Sequence, residues 1–133
     1  MLNNLFRWRP NMVKSEEEID VYDNETPYVY VLVRKDLPAI KKLIQASHAC
    51  LEAGFVFKPI PGKTCHLVIM EVKKQEDLKR IFYELRDDQY INSCMFFEPD
   101  FDLGFTVLAT EPLIGEKRKF FKKFKLLKVP SFF

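Results

Sequence analysis

From Tyr28 onward the chain alternates between short apolar runs and longer amphipathic ones. YVYVLV (28–33) and CHLVIMEV (65–72) are almost wholly apolar and rich in β-branched and aromatic residues, the pattern of strands buried on both faces. CMFFEP (94–99) and GFTVLATEP (104–112) read as two further strands, separated by a short acidic loop. Between the first two strands, Asp36 is placed to cap a helix, with Pro38 tolerated in its first turn and Gly54 near its end. KQEDLKRIFYELRDD (74–88) puts Leu78, Ile81, Phe82 and Leu85 at helical spacing, with charges on the other face. IGEKRKFFKKFKLLK (114–128) closes the chain with a third, basic helical pattern.

The order β-α-β-α-β-β-α predicts an α/β fold, a three-layer sandwich around a four-stranded mixed sheet. The first three strands are joined through helices and can run parallel, whereas the short third connection predicts an antiparallel pair. Residues 27–133 form this domain. Residues 1–26 read as an N-terminal extension, acidic in KSEEEIDVYDNETP and without periodicity, with Phe6, Trp8 and Val21 as anchors if it lies on the domain.

Composition narrows the function classes. A chain of 133 residues, 47% hydrophobic and 30% charged, suits one globular domain. The formal charge of +2 is nearly balanced, so the charge that matters is local, in the basic C-terminal segment. Cys50, Cys65 and Cys94 form no CxxC pair, and Cys65 and His66 point to opposite faces of a strand, so no metal site is expected. Free thiols fit a reducing compartment. No run approaches the length of a membrane span, and MLNNLFRWRPNM lacks the apolar stretch of a signal peptide. A cytoplasmic protein without membrane association is expected.

Three groups of residues carry candidate chemistry. On a helical wheel Leu37, Ile40, Ile44 and Leu51 define an apolar stripe predicted to face the core. Lys41, Gln45 and His48 stack at i, i+4 and i+7 along one flank, and Lys42 lies toward solvent. In open α/β sheets such a flank, near the helix N-terminus and the carboxyl ends of parallel strands, overlooks the ligand crevice. It is equally the pattern of a lysine snorkelling from the core edge beside a hydrogen-bonded histidine. Glu98, Asp100 and Asp102 follow the third strand, either as a solvated turn or as carboxylates that orient water. Phe120, Phe121, Phe124 and Leu127 make one face of the basic segment, leaving Lys119, Lys122 and Lys123 outward for a polyanion, a membrane surface or plain solvation. No phosphate-cradling glycine loop and no GxSxG elbow is present.

In order and spacing, YVLVRKDL…KKLIQASHACL and FFEP…FTVLATEPL resemble the class-two (archaeal and eukaryotic-type) peptidyl-tRNA hydrolases, nearest to their divergent peptidyl-tRNA hydrolase domain-containing branch. The resemblance spans Tyr28 to Lys128. It implies hydrolysis of the ester joining a peptide, or an N-blocked amino acid, to tRNA, with no cofactor. The family's helix lysine corresponds to Lys41, and its AQxxHA segment to Gln45, Ser47, His48 and Ala49. Its catalytic aspartate corresponds to Asp100, with Glu98 and Asp102 as rivals, and a later hydroxyl residue to Thr106. Arg34, Lys35, Asp36, Asp102, Lys119, Lys122 and Lys123 are the expected substrate contacts, and tRNA is the expected partner, with a homodimer left open. The approach to the helix is two residues shorter here than in the family, and a glycine- and threonine-containing loop between the last two strands is largely missing. The alternative is a non-catalytic member that binds RNA, a nucleotide-like ligand or a protein.

Overall fold

The computed structural model describes residues 25–128 and builds them around strand β1 (Tyr28–Arg34), whose residues Tyr30–Val33 are buried from both sides. β1 pairs in parallel with β2 (His66–Val72), and its other edge pairs antiparallel with β4 (Gly104–Thr110). β3 (Ser93–Glu98) lies antiparallel outside β4. β1, β2 and β3 therefore share one direction, and the sheet is mixed. A fifth strand, β5 (Lys125–Leu126), pairs antiparallel with β2 and completes the order β3-β4-β1-β2-β5.

Helix α1 (Ala39–Val56) covers one face of the sheet over Val31, Val33, Val107 and Ala109. Helix α2 (Gln75–Glu84) and the C-terminal segment cover the other face, over Leu32, Met70 and Leu108. The three layers and the α/β class match expectation; the strand count does not. The basic C-terminal helix expected over Glu116–Lys128 is instead a 3₁₀ segment, Gly115–Lys123, followed by β5. The reason is the open edge of β2, whose backbone groups need partners. Phe121, fully buried, stacks flat on Tyr30 at 4.1 Å and 4° between ring planes, holding the 3₁₀ turn on the sheet. Phe120 and Phe124 pack only partly against it.

Other expectations at α1 also change. Pro38, not Asp36, occupies its N-cap and no side chain caps it, because Asp36 is held by Arg34. The helix runs through Gly54 to Val56, ending where Phe57 turns extended. The N-terminal extension lies outside the described residues apart from Glu25 and Thr26.

Phe121→Ala is expected to lower unfolding stability by about 3–5 kcal/mol, with Phe120→Ala costing clearly less. Urea titration checks this, and equal losses would restore the continuous-helix reading.

Candidate functional site at the end of β3 and β4

The site begins with a helix rotated away from its expected orientation. The buried residues of α1 are Gln45, Ala46, Ala49 and Ala53. Ile40, Ile44 and Leu51, expected in the core, face solvent with Leu43 and Phe55, and of the predicted stripe only Leu37 is buried. Lys42, expected outward, is half-buried near the charge of Asp36. Three alanines at i, i+3 and i+7 let the helix axis approach the sheet closely. That approach brings the one buried polar side chain, Gln45, within reach of partners it must have, since an unpaired buried amide costs about 2–7 kcal/mol.

Those partners come from the two neighbouring strands. Thr106, fully buried, donates from Oγ1 to Gln45 Oε1 at 2.6 Å. Gln45 Nε2 donates to Glu98 Oε2 at 3.1 Å, and the other carboxylate oxygen accepts from the Asp100 backbone N–H at 3.1 Å. The chain Thr106–Gln45–Glu98 fixes the amide orientation, because the reverse would set carbonyl oxygen against carboxylate. Thr106 reaches α1 through a β-bulge. Phe96 pairs with Val107 and Phe97 with Phe105, which leaves Thr106 as the extra residue. Strict alternation would have sent it to the face of Leu108, and the bulge re-aims it.

The Glu98 carboxyl is held below its ordinary range, first by the Asp100 N–H and then by the Gln45 amide. The nearby charges of His48 and Lys41 act in the same direction, against desolvation. His48 lies flat on Phe96, ring centroids 4.8 Å apart. Lys41 Nζ sits 4.6 Å over the ring of Phe101, a cation–π contact. Phe101 is 80% exposed and has φ +56°, so a non-glycine residue in the left-handed region presents its ring to solvent at the mouth of the site.

The turn that carries these groups is pinned to the sheet. Arg34, mostly buried, forks onto Asp36 at 3.0 Å through two nitrogens and donates to the carbonyls of Leu103 and Phe105. The hydrogen bond from Arg34 holds the Asp36 carboxyl low. Gln75, at the start of α2, accepts from the Phe105 N–H at 2.7 Å. A Cβ at Gly104, where φ is +72°, would lie 2.2 Å from that same Gln75 oxygen.

The structure thus gathers Lys41, Gln45, His48, Glu98 and Thr106. Asp100 and Asp102 are exposed on the 3₁₀ turn beyond Glu98, with Asp100 contributing its backbone N–H. Arg34 and Asp36 form the clamp below the turn. Lys35 lies in a separate cleft of about 370 Å³ on the α2 side, with Lys73, Arg80, Lys123 and Lys125 among its lining. Lys119 pairs with Glu116 and Lys122 is exposed, both outside that lining. Among the described residues no group of three or more potential ligands could hold a metal. Burial raises the Cys50 and Cys94 thiols above their ordinary range, away from thiolate chemistry at neutral pH. No helix among the described residues is long and apolar enough to cross a membrane.

Sequence reasoning missed Phe96, Phe101, Gln75 and Gly104. Only Gly104 carried a signal, a lone glycine opening a strand after an acidic turn. No protein-family model matches the chain, and a search of curated proteins finds no match.

Two outcomes are expected. Gly104→Ala should destabilise by about 1–3 kcal/mol, since it combines a positive φ with a displaced Gln75. Denaturant unfolding reads the loss, and Gly54→Ala, where a Cβ meets nothing within 4 Å, should cost none. In a carboxyl-detected NMR titration Glu98 should titrate below the exposed glutamates. Its folded pKa is depressed, so its contribution to stability is present above the ordinary glutamate pKa and is lost as pH falls through the folded value. Gln45→Leu should move that titration upward.

Proposed function

We propose that this domain hydrolyses the ester bond of peptidyl-tRNA or N-blocked aminoacyl-tRNA, releasing free tRNA. The observation that carries the reading is the Glu98 carboxylate, anchored by Gln45 and the Asp100 N–H, with the charges of Lys41 and His48 close by. Its depressed pKa keeps it ionised at neutral pH, so it can accept a hydrogen bond from a water and hold it for attack. As the water oxygen bonds to the ester carbonyl carbon, its proton passes to the carboxylate. The carbonyl oxygen becomes an oxyanion beside the Lys41 ammonium and the uncapped N–H groups at the start of α1. Collapse breaks the bond to the ribose oxygen, which takes the proton back from the carboxyl group. The low pKa makes Glu98 a modest base, so charge placement and water orientation carry more of the rate than basicity. The resemblance to class-two peptidyl-tRNA hydrolases supplies the substrate. The cleft holding Lys35, Lys73, Lys123 and Lys125, at the carboxyl ends of β1 and β2, offers phosphate contacts for the body of a tRNA.

A second reading, RNA binding without turnover, is favoured by one observation. Asp100, the counterpart of the family's aspartate, stands exposed beyond the turn while Glu98 makes the hydrogen bonds.

Incubation with N-acetyl-aminoacyl-tRNA, followed by the release of free tRNA, tests both. Turnover is expected, with Lys41→Ala lowering kcat/KM at least ~10²-fold, the usual weight of an oxyanion-stabilising group. Glu98→Gln should lower the rate more than Asp100→Asn, and Lys58→Ala, an exposed lysine beyond the far end of α1, should leave it near wild type. tRNA affinity without release of product would establish the binding reading.

A further inference from the structure

The rotation that turns Gln45 inward turns the large apolar residues of α1 outward. Ile40 is 56% exposed, Leu51 58% and Phe55 78%, and Leu43 and Ile44 are exposed beside them. At about 100° per residue these five and Ser47 fall within roughly 120° of the helix circumference. No Lys, Arg, Asp or Glu lies inside that stripe. A soluble chain rarely leaves a continuous apolar strip of this length in water.

We propose that this stripe is the interface of a twofold-symmetric dimer in which α1 of one copy packs antiparallel on α1 of a second, crossing at Ser47. The residues themselves point to a second copy. A twofold interface requires that residue i meet residue j and j meet i. Ile40 and Phe55, and likewise Ile44 and Leu51, are placed symmetrically about the point between Ser47 and His48. An antiparallel pair therefore sets Ile40 on Phe55 and Ile44 on Leu51, each twice. The smallest side chain of the stripe sits at the crossing, where two helices come closest. The Ser47 hydroxyl already donates to the Leu43 carbonyl of its own helix at 2.8 Å, so burying it leaves no unpaired donor. The stripe exposes on the order of 600 Å² per copy, so a pair can bury at most roughly 1,200 Å², the lower end of specific interfaces.

The inference is independent of the chemistry proposed above, and the test uses the full chain. Sedimentation at 1–100 μM should give a mass near twice 15.8 kDa. Leu51→Glu should return the monomer mass with an unchanged circular dichroism spectrum and no loss of thermal stability beyond that of dilution. With Cys65 replaced by serine, Ser47→Cys should form a disulfide-linked dimer under mild oxidation much faster than Lys79→Cys, which lies on α2. A monomer at 100 μM would overturn the proposal. So would a dimer that survives Leu51→Glu and Ile44→Glu, since another surface would then make it. A monomeric wild type that Leu51→Glu destabilises would mean that the stripe is covered within one chain, and would equally overturn it.

Discussion

The hydrogen-bonded chain Thr106–Gln45–Glu98 sets the orientation of the longest helix in the fold, and most of what distinguishes this domain depends on it. A single amide buried on the inner face of α1 must find a donor and an acceptor in the sheet. Alanines at 46, 49 and 53 make the close approach that lets it do so. Larger residues there would hold the helix too far out for the 2.6 and 3.1 Å contacts. The helix therefore sacrifices the burial of four or five large apolar side chains to keep one polar connection, an exchange unfavourable for an isolated domain by the usual weight of about 1.5–3 kcal/mol per buried aliphatic. Such an arrangement is sensible where the polar connection has chemistry to perform and the outward face has something to cover it.

The same connection depends on local departures from regular structure, and each has a separate support. The bulge that turns Thr106 toward α1 sits one residue beyond the stretch that Arg34 ties to the end of β1. Gly104 supplies the backbone conformation that lets Gln75 reach the Phe105 N–H. The left-handed residues Phe101 and Asp102 belong to the turn between these supports. Backbone strain of order 1–3 kcal/mol per residue persists only where the surroundings over-determine it. Here the clamp, the glutamine and the Glu98–Asp100 bond do so together.

Much of the fold was legible in the residues, and the parts that were not share one physical cause. Buried strands such as YVYVLV announce themselves because both of their faces are apolar, and the flank of Lys41, Gln45 and His48 was legible because helical spacing is a matter of counting. The rotation of that helix was not legible. Hydrophobic periodicity weights Ile, Leu and Phe heavily and alanine hardly at all, so it placed the large stripe inward and Gln45 on the flank, whereas the structure turns the stripe outward and buries Gln45. The C-terminal segment misled in a related way. Phe120, Phe121 and Phe124 fit a helical face, but the unpaired edge of β2, a feature of tertiary structure, drew Lys125 and Leu126 into a strand. Of the three candidate carboxylates, sequence favoured Asp100 through a resemblance, while the bulge and the turn that present Glu98 to Gln45 leave no mark in a single sequence.

The two faces of α1 are thereby coupled. Lys41, Gln45 and His48 lie between the sheet-facing alanines and the outward stripe, so any rotation or tilt of the helix that relieves the exposed face also moves the groups around Glu98. Hydrogen bonds of 2.6 and 3.1 Å tolerate only a few tenths of an ångström before they weaken. A partner seated on Ile40, Ile44, Leu51 and Phe55 would hold the helix at the rotation the amide requires, adding apolar burial to an orientation that a handful of hydrogen bonds otherwise maintains. The outward stripe and the inward glutamine are in this sense one design: the surface that looks misplaced on a lone domain is the counterweight to the buried polar chain.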